Sequence, residues 1–480
     1  MEAIMDRNLK LGEESEFGNK SILGLFWKYS LFALLGLMCQ CIQVVFDGYF
    51  IGNGVGEIGL AVISVSSVLW QFALGICGLL GIGGSTLAAI KLGGGDKEAA
   101  RLIYGTITIF SFILSVIIAA VICFNLDAIL IGMGATPELL PDGRVYVIIF
   151  AISFPFVVTG STAYYFTRLA EKPFIAALVY VIPAFLAIAI EYHLIFNVGM
   201  GAGASSVAGG FCAGFCFFLL PYLQFGKTIF KIRRSDFRID IKIVWESCKI
   251  GFVMFILPVS IMGAVILTNN LITQYGGTET HLAAFGIAAG YIVYILSIVT
   301  TAFITGIAPI ASYNYGAKLY KRVMSLIRIG VVQSSVVIAA AVILVYIFVE
   351  PVVGFFTGPD PVLQETTVGV LQIFLLLTAF GNVPQIASGY FLAVDRPGIA
   401  ILNGVARMSV FAIALLLVLP GFFGLKGIWM AQPGADALSF ILALVFLFSE
   451  FKRLKKLDQA MDETRSGSFD IMDPEIEMQR

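Results

Sequence analysis

Apolar stretches long enough to cross a bilayer recur almost without pause along this chain, and that recurrence constrains the fold more than any motif. A hydrocarbon core about 30 Å thick is spanned by about 20 apolar residues in a helix. Twelve such runs are legible: 22–46, 58–82, 102–124, 144–166, 174–197, 204–225, 247–274, 282–306, 325–349, 364–389, 398–420 and 426–449. Of 480 residues, 59% are hydrophobic and 13% charged, where a soluble chain carries about a quarter charged. Backbone groups facing lipid must find partners within their own segment, so these runs predict α-helices. The alternating segments of about ten residues that build a transmembrane β-barrel are absent. The expected fold class is an all-α integral membrane protein of twelve transmembrane helices.

Basic residues fall on one side of that arrangement. The N-tail (Arg7, Lys10, Lys20), the 91–101 loop (Lys91, Lys97, Arg101), Arg168 with Lys172, and the 226–246 loop all share it. So do Lys318, Lys321, Arg322, Arg396 and the start of the C-tail, whereas the opposite loops carry only Arg144 and Lys426. The positive-inside rule places this side, and both termini, in the cytoplasm. The expected layout is an N-tail (1–21), a first lobe (22–225), a basic linker (226–246), a second lobe (247–449) and a C-tail (450–480). The linker's charge suits anionic lipid headgroups, so membrane lipids are expected partners and nucleic acid is not. From about residue 458 the chain is acidic and reads as a mobile tail. The seven cysteines sit in or beside apolar runs without clustered histidines, which reads as packing rather than metal ligation. No cleavable signal is legible at the N-terminus.

The halves resemble one another when shifted by about 222 to 225 residues. FDGYFIGNGVGEIGLAV aligns with TNNLITQYGGTETHLAA, and RLAEKPFIAAL with LAVDRPGIAIL, pairing Glu171-Lys172-Pro173 with Asp395-Arg396-Pro397. Six spans per half is even, so both halves enter from the same side. The expected architecture is two six-helix lobes related by a parallel pseudo-two-fold repeat, with a cleft between them suited to a transporter.

Charge inside the spans is scarce. In span 1, Gly36, Gln40, Gln43 and Asp47 are spaced by four, three and four and form one polar stripe on an apolar helix. A carboxylate within a span is a functional candidate; an acid ending a helix near water is the plain alternative. Span 5 carries Glu191 about six residues from its outer end, at a depth similar to Asp47. The repeat pairs Asp47 with Asn269 and Glu191 with Leu415, so the acids belong to the first lobe only. Arg407 in span 11 and Asp436 in span 12 are read as a structural ion pair. Gly-Lys-Thr at 226–228 follows Pro221 where a phosphate-binding loop requires Gly, which argues against ATP-driven transport.

Several strings together resemble the multidrug and toxic compound extrusion (MATE) family, in its prokaryotic branch. They are Asp47 with GYFIGNGVGEIGLAV, GIGGSTLAAIKLGGGDKEAAR, GIAPIASYNYGAKLYKR and GLKGIWMAQPGAD, and the resemblance covers all twelve spans. It implies a secondary antiporter in a prokaryotic cytoplasmic membrane, exporting amphipathic, cationic small molecules in exchange for H⁺ or Na⁺ by alternating access. It implies no enzymatic activity, needs no cofactor, and suits a monomer. By resemblance Asp47 and Glu191 form a coupling site joined by Gln43, with Tyr164 at a span 4 position that is polar in relatives. An amide expected one turn before the span 5 acid is Ala187 here, and hard cations need several oxygen ligands, so the departure favours H⁺ over Na⁺. In the second lobe Asn269, Asn270, Gln274, Asn382 and Gln385 either line a substrate cavity or bond between helices. Gln40 and Tyr291 are further cavity candidates. The rival function is a lipid-linked oligosaccharide flippase, whose cavity would need more basic groups than Arg407 alone.

Overall fold

The computed structural model describes residues 15–133, 135, 137–233, 239–357 and 361–469. Arg7 and Lys10 of the N-tail, Arg234 and Arg238 of the linker and the acidic residues beyond 469 lie outside these. Regular structure among the described residues is helical throughout. Eleven long apolar helices and one pair bent by 56° make twelve spans. They run Ile22–Gly54, Val65–Gly93, Lys97–Phe124, Leu140–Leu169, Pro173–Val198 and Gly203–Phe225, then Ile241–Gln274, Thr280–Gly316, Tyr320–Ile347, Pro361–Phe374 with Thr378–Ala393, Pro397–Phe423 and Leu425–Asp462. Each lies over one predicted run and most extend beyond it, because the backbone ladder continues into the headgroup region after the apolar side chains stop.

The helix ends follow local chemistry. Ser21 caps span 1 through Gly24 N, and the Asp96 carboxylate caps span 3 through Ala99 N at 2.8 Å, each satisfying an orphan N–H of a first turn. Pro173 and Pro397 open spans 5 and 11, where a missing N–H is harmless. Residues expected to form a mobile tail are instead helical, since the last helix continues to Phe469. Side-chain anchors explain the difference. Buried Glu450 accepts from Arg396 at 2.6 Å and Arg453 at 2.9 Å, and Lys321 reaches Asp458 and Asp462.

The repeat is visible in the pairing of helices. Span 1 packs on 5, 3 on 4, and 4 on 6; in the second lobe, 7 packs on 11, 9 on 10, and 10 on 12. The aligned turns agree as well. Glu171 and Asp395 both have left-handed backbones (φ 62° and 57°), as do Gly95 and Lys318 (φ 86° and 57°).

The lobes meet in the half of the molecule that carries the basic loops. A Cβ on Gly93 would lie 2.0 Å from the Tyr313 carbonyl oxygen, and one on Gly316 would lie 2.0 Å from that of Ile90. The span 2 and span 8 ends therefore touch backbone to backbone across the pseudo-two-fold axis, which only glycine permits. Gly83 sits the same way against Ser247 and Gly251 of span 7, and its repeat equivalent Gly306 against Ser30 of span 1.

A strap from the N-tail closes over this seam. Phe17, fully buried, lies between the rings of Tyr29 and Tyr313 at 5.3 and 5.5 Å. Its carbonyl accepts from Asn314 and Arg322, Arg322 also holds the Lys20 carbonyl, and Ser15 donates to Glu171. Burial would raise the Glu16 carboxyl, but hydrogen bonds from Lys20 and Lys28 outweigh it and hold Glu16 below its ordinary range.

Because no side chain fits at Gly93, Gly93→Ala is expected to disfavour this sealed arrangement. Spin labels at the basic ends of spans 3 and 9 should then show a longer distance population in electron–electron resonance. An unchanged distribution would mean that the seam yields without separating.

Candidate functional site

Span 1 and span 5 lie side by side, and their contacts bracket the intramembrane acids. Gly36 meets the Tyr180 side chain at one end; at the other Gly54 packs on Ile195, and Phe50 touches the rings of Tyr192 and Phe196 at 5.7 and 6.0 Å. Between those contacts the span 1 stripe turns inward at Gln43, which is buried, and Asp47, which is half-buried. Glu191 faces them with no exposed surface and interacts with both. Neither Glu191 oxygen, nor Oδ1 of Asp47, completes a hydrogen bond to a protein donor. Two ionised carboxylates offer only acceptors to each other, whereas one proton between them supplies the missing donor.

Tyr146 of span 4 also lies within electrostatic range of both acids. Its hydroxyl accepts from Trp70 Nε1 at 2.9 Å, and its backbone carbonyl accepts from Ser206 at 2.8 Å. Ala187 belongs to a small apolar cluster with Cys39, Ala184, Ala208 and Cys212. Tyr164 stands apart from the acids in a cluster toward the basic end, where its hydroxyl accepts from Arg168 and its ring meets Tyr180 at 4.8 Å. Leu415, the repeat equivalent of Glu191, packs in an apolar cluster of the second lobe.

A cavity of 620 Å³ opens between the lobes, within the size range of drug-sized ligand sites. Spans 2, 4, 7, 8, 10, 11 and 12 line it. Of the expected cavity residues, Gln385 lines it, as does Arg407 of the expected ion pair. Asn382 is buried instead between spans, accepting from Thr300 at 2.9 Å and donating to Ser334 at 2.8 Å. Asn269, Asn270 and Gln274 are exposed on span 7 outside the lining, Gln40 is half-buried on span 1, and Tyr291 stacks on Phe356 at 5.2 Å. Among the described residues the lining contains two arginines, Arg168 and Arg407, and no carboxylate. A cationic cargo therefore meets no counter-charge on these walls.

A family model described as MatE matches residues 33–193 and 252–418. The two matches fall one in each lobe and together take in more than half of the chain. This chain belongs to the MatE family. Members of that family are membrane transporters rather than enzymes, and this one is a multi-pass membrane protein. It is 25% identical over 469 residues to the probable multidrug resistance protein YoeA of Bacillus subtilis, covering 91% of this chain and 96% of that one. In fold it resembles a multidrug resistance MATE transporter in an outward-facing conformation, with a TM-score of 0.85 at 20% identity over 92% of this chain and 98% of the other. A MATE protein crystallised in a straight conformation matches at 0.86 and 18% identity, with the same coverage of both chains.

Sequence reasoning overlooked Tyr146 and Arg168. Tyr146 is one aromatic among many, and Arg168 counts toward a basic loop by position, yet the fold turns it inward. Arg407 and Asp436 lie 2.7 Å apart, with Gln432 also donating to the carboxylate. Span 11 widens into a π-turn over Ala406–Phe411, which carries Arg407 at this contact, and Gly381 leaves room for the Asp436 carboxyl. Asp436→Ala leaves a buried guanidinium without its carboxylate, a loss of about 3–5 kcal/mol. Thermal unfolding should show that loss, and Arg407→Met with Asp436→Leu together should recover most of it. A double variant as unstable as the single one would rule out a mainly structural pair.

Proposed function

We propose that this MatE-family transporter exports amphipathic small molecules in exchange for protons, with Asp47 and Glu191 as the proton-binding pair. The observation that carries this reading is the pair of carboxyl groups facing each other beside Gln43, one of them fully buried, with both Glu191 oxygens and Oδ1 of Asp47 completing no hydrogen bond. Two negative charges held together in a low-dielectric helix contact repel strongly, and one proton between them both removes that repulsion and supplies the donor that two carboxylates lack. Protonation removes the repulsion and lets span 1 settle against span 5; loss of the proton drives them apart.

Sodium is the less favoured ion on the same geometry. A hard cation takes most of its ligands as oxygens, and Gln43 is the amide beside Glu191, while Ala187 contributes none. The basic end of the molecule is assigned to the cytoplasm on the loop charges, which makes the sealed seam the cytoplasmic gate and the cavity accessible from outside. The transporter acts as a monomer in a prokaryotic cytoplasmic membrane. A lipid-linked oligosaccharide is much larger than a 620 Å³ cavity accommodates in one piece, which weighs against the flippase alternative.

The test is export from proteoliposomes under separate pH and Na⁺ gradients, with ethidium and taurocholate as cationic and anionic cargo. A pH gradient should drive export of at least one, and Asp47→Asn and Glu191→Gln should each lower it at least tenfold. Undiminished export by Asp47→Asn, or export driven by Na⁺ alone, overturns the proton assignment.

A further inference from the structure

The inter-lobe cavity has a charged floor on one side only. Arg168, at the end of span 4, lines it with 3% of its surface exposed. Its Nη1 donates to the Tyr164 hydroxyl at 3.1 Å, and its Nη2 to the carbonyls of Thr305 at 2.8 Å and Tyr29 at 3.5 Å. These are neutral acceptors. The Nε hydrogen has no partner, and Glu171, three residues on, is engaged by Ser15 of the strap. The repeat equivalent of Arg168 is Leu392, which lines the opposite side of the same cavity. Arg407, the other guanidinium in the lining, already has Asp436 as its counter-ion. Arg168 therefore brings a positive charge to the cavity that no carboxylate among the described lining residues faces.

We infer that this cavity takes an amphiphile with an acidic head group, carboxylate, sulfonate or phosphate, which docks on the Arg168 guanidinium and draws out its unpartnered Nε–H. A guanidinium presents paired N–H donors in one plane that match two oxygens of such a group. Around it the hydroxyls of Thr86, Thr305 and Ser312 line the floor, while Leu257, Ile261 and Phe285 are among the apolar groups further along the walls. An acid with a compact apolar body satisfies both regions. A cation placed there sits against a positive charge with no carboxylate on the described walls, in a poorly screened site. Thr305 belongs to the second lobe, so its carbonyl leaves Arg168 when the seam parts, and the anion replaces that acceptor. This inference rests on the inter-lobe cavity being the cargo site, but not on which ion drives transport.

The experiment is equilibrium binding of radiolabelled taurocholate and tetraphenylphosphonium to the full chain in lipid nanodiscs. Taurocholate should bind saturably, at least tenfold more weakly to Arg168→Gln, with partial recovery in Arg168→Lys and no change in Lys321→Gln, a basic surface control. Tetraphenylphosphonium binding as tight as taurocholate's in the wild type, or taurocholate affinity within twofold of wild type in Arg168→Gln, overturns the inference. Should Arg168→Gln not fold, Thr301→Cys in a chain with Cys41 and Cys123 replaced by Ser supplies a second reading. Its rates with sulfonatoethyl and trimethylammonioethyl methanethiosulfonate, each divided by that of a free thiol, should favour the anionic reagent; a ratio favouring the cation overturns the inference. Arg168-dependent binding with no pH-driven export would fail the proton reading alone, and the converse would fail this one alone.

Discussion

At Gly93, Gly316, Gly83 and Gly306 the two lobes touch through backbone atoms, and the shape of everything between them follows from that contact. Helices in lipid gain little from hiding apolar surface against one another, so close approach and dispersion have to hold them together. Here the close approach is confined to the end of the molecule that carries the basic loops. Further from it spans 2, 4, 7 and 8 diverge around the cavity. The strap at Phe17 adds hydrogen bonds from the second lobe and ring contacts from both. Opening this end requires the glycine contacts and the strap to release together.

The same helices that form the seam also carry the charged groups. Span 1 holds Asp47 near one end and Tyr29 and Ser30 near the other, where Tyr29 accepts from Arg168 and Ser30 meets Gly306. Span 4 holds Tyr146 beside the acids and Arg168 in the cavity. A change in how spans 1 and 5 pack around Glu191 is thus mechanically tied to the seam and to the cavity floor, through two stiff helices. Asp47 and Glu191 lie inside the first lobe, whereas Arg168 and Arg407 line the cavity, so the two groups of charges are set apart.

Much of the fold was legible because lipid makes helices announce themselves. The twelve runs, the duplication and the even span number follow from hydropathy and from aligned strings such as Glu171-Lys172-Pro173 and Asp395-Arg396-Pro397. Arg407 and Asp436 were legible as a pair because charges so deep in the chain's apolar segments need one another. The span ends were less so: apolar content marks the hydrocarbon, not where hydrogen-bonded turns stop, and Glu450, Asp458 and Asp462 extend the last helix through contacts with distant residues. Polar residues on spans were hardest to place. Asn382 turns into a contact among three spans while Asn269 and Asn270 lie outside the cavity lining, and nothing in their spacing separates those fates.

The sequence by itself determined the number of spans, their repeat, the clustering of basic loops on one side and the presence of Asp47 and Glu191 in the first lobe where the second has Asn269 and Leu415. These depend on composition and order along the chain, which hydrophobic partitioning reads directly. The tertiary structure alone decided that Glu191 meets Asp47 and Gln43 with neither of its oxygens completing a hydrogen bond, that Tyr146 stands beside them, and that Arg168 leaves a basic loop's neighbourhood to line the cavity. Those facts depend on how helices rotate and cross, which is set by contacts such as glycine against a carbonyl between residues more than two hundred positions apart.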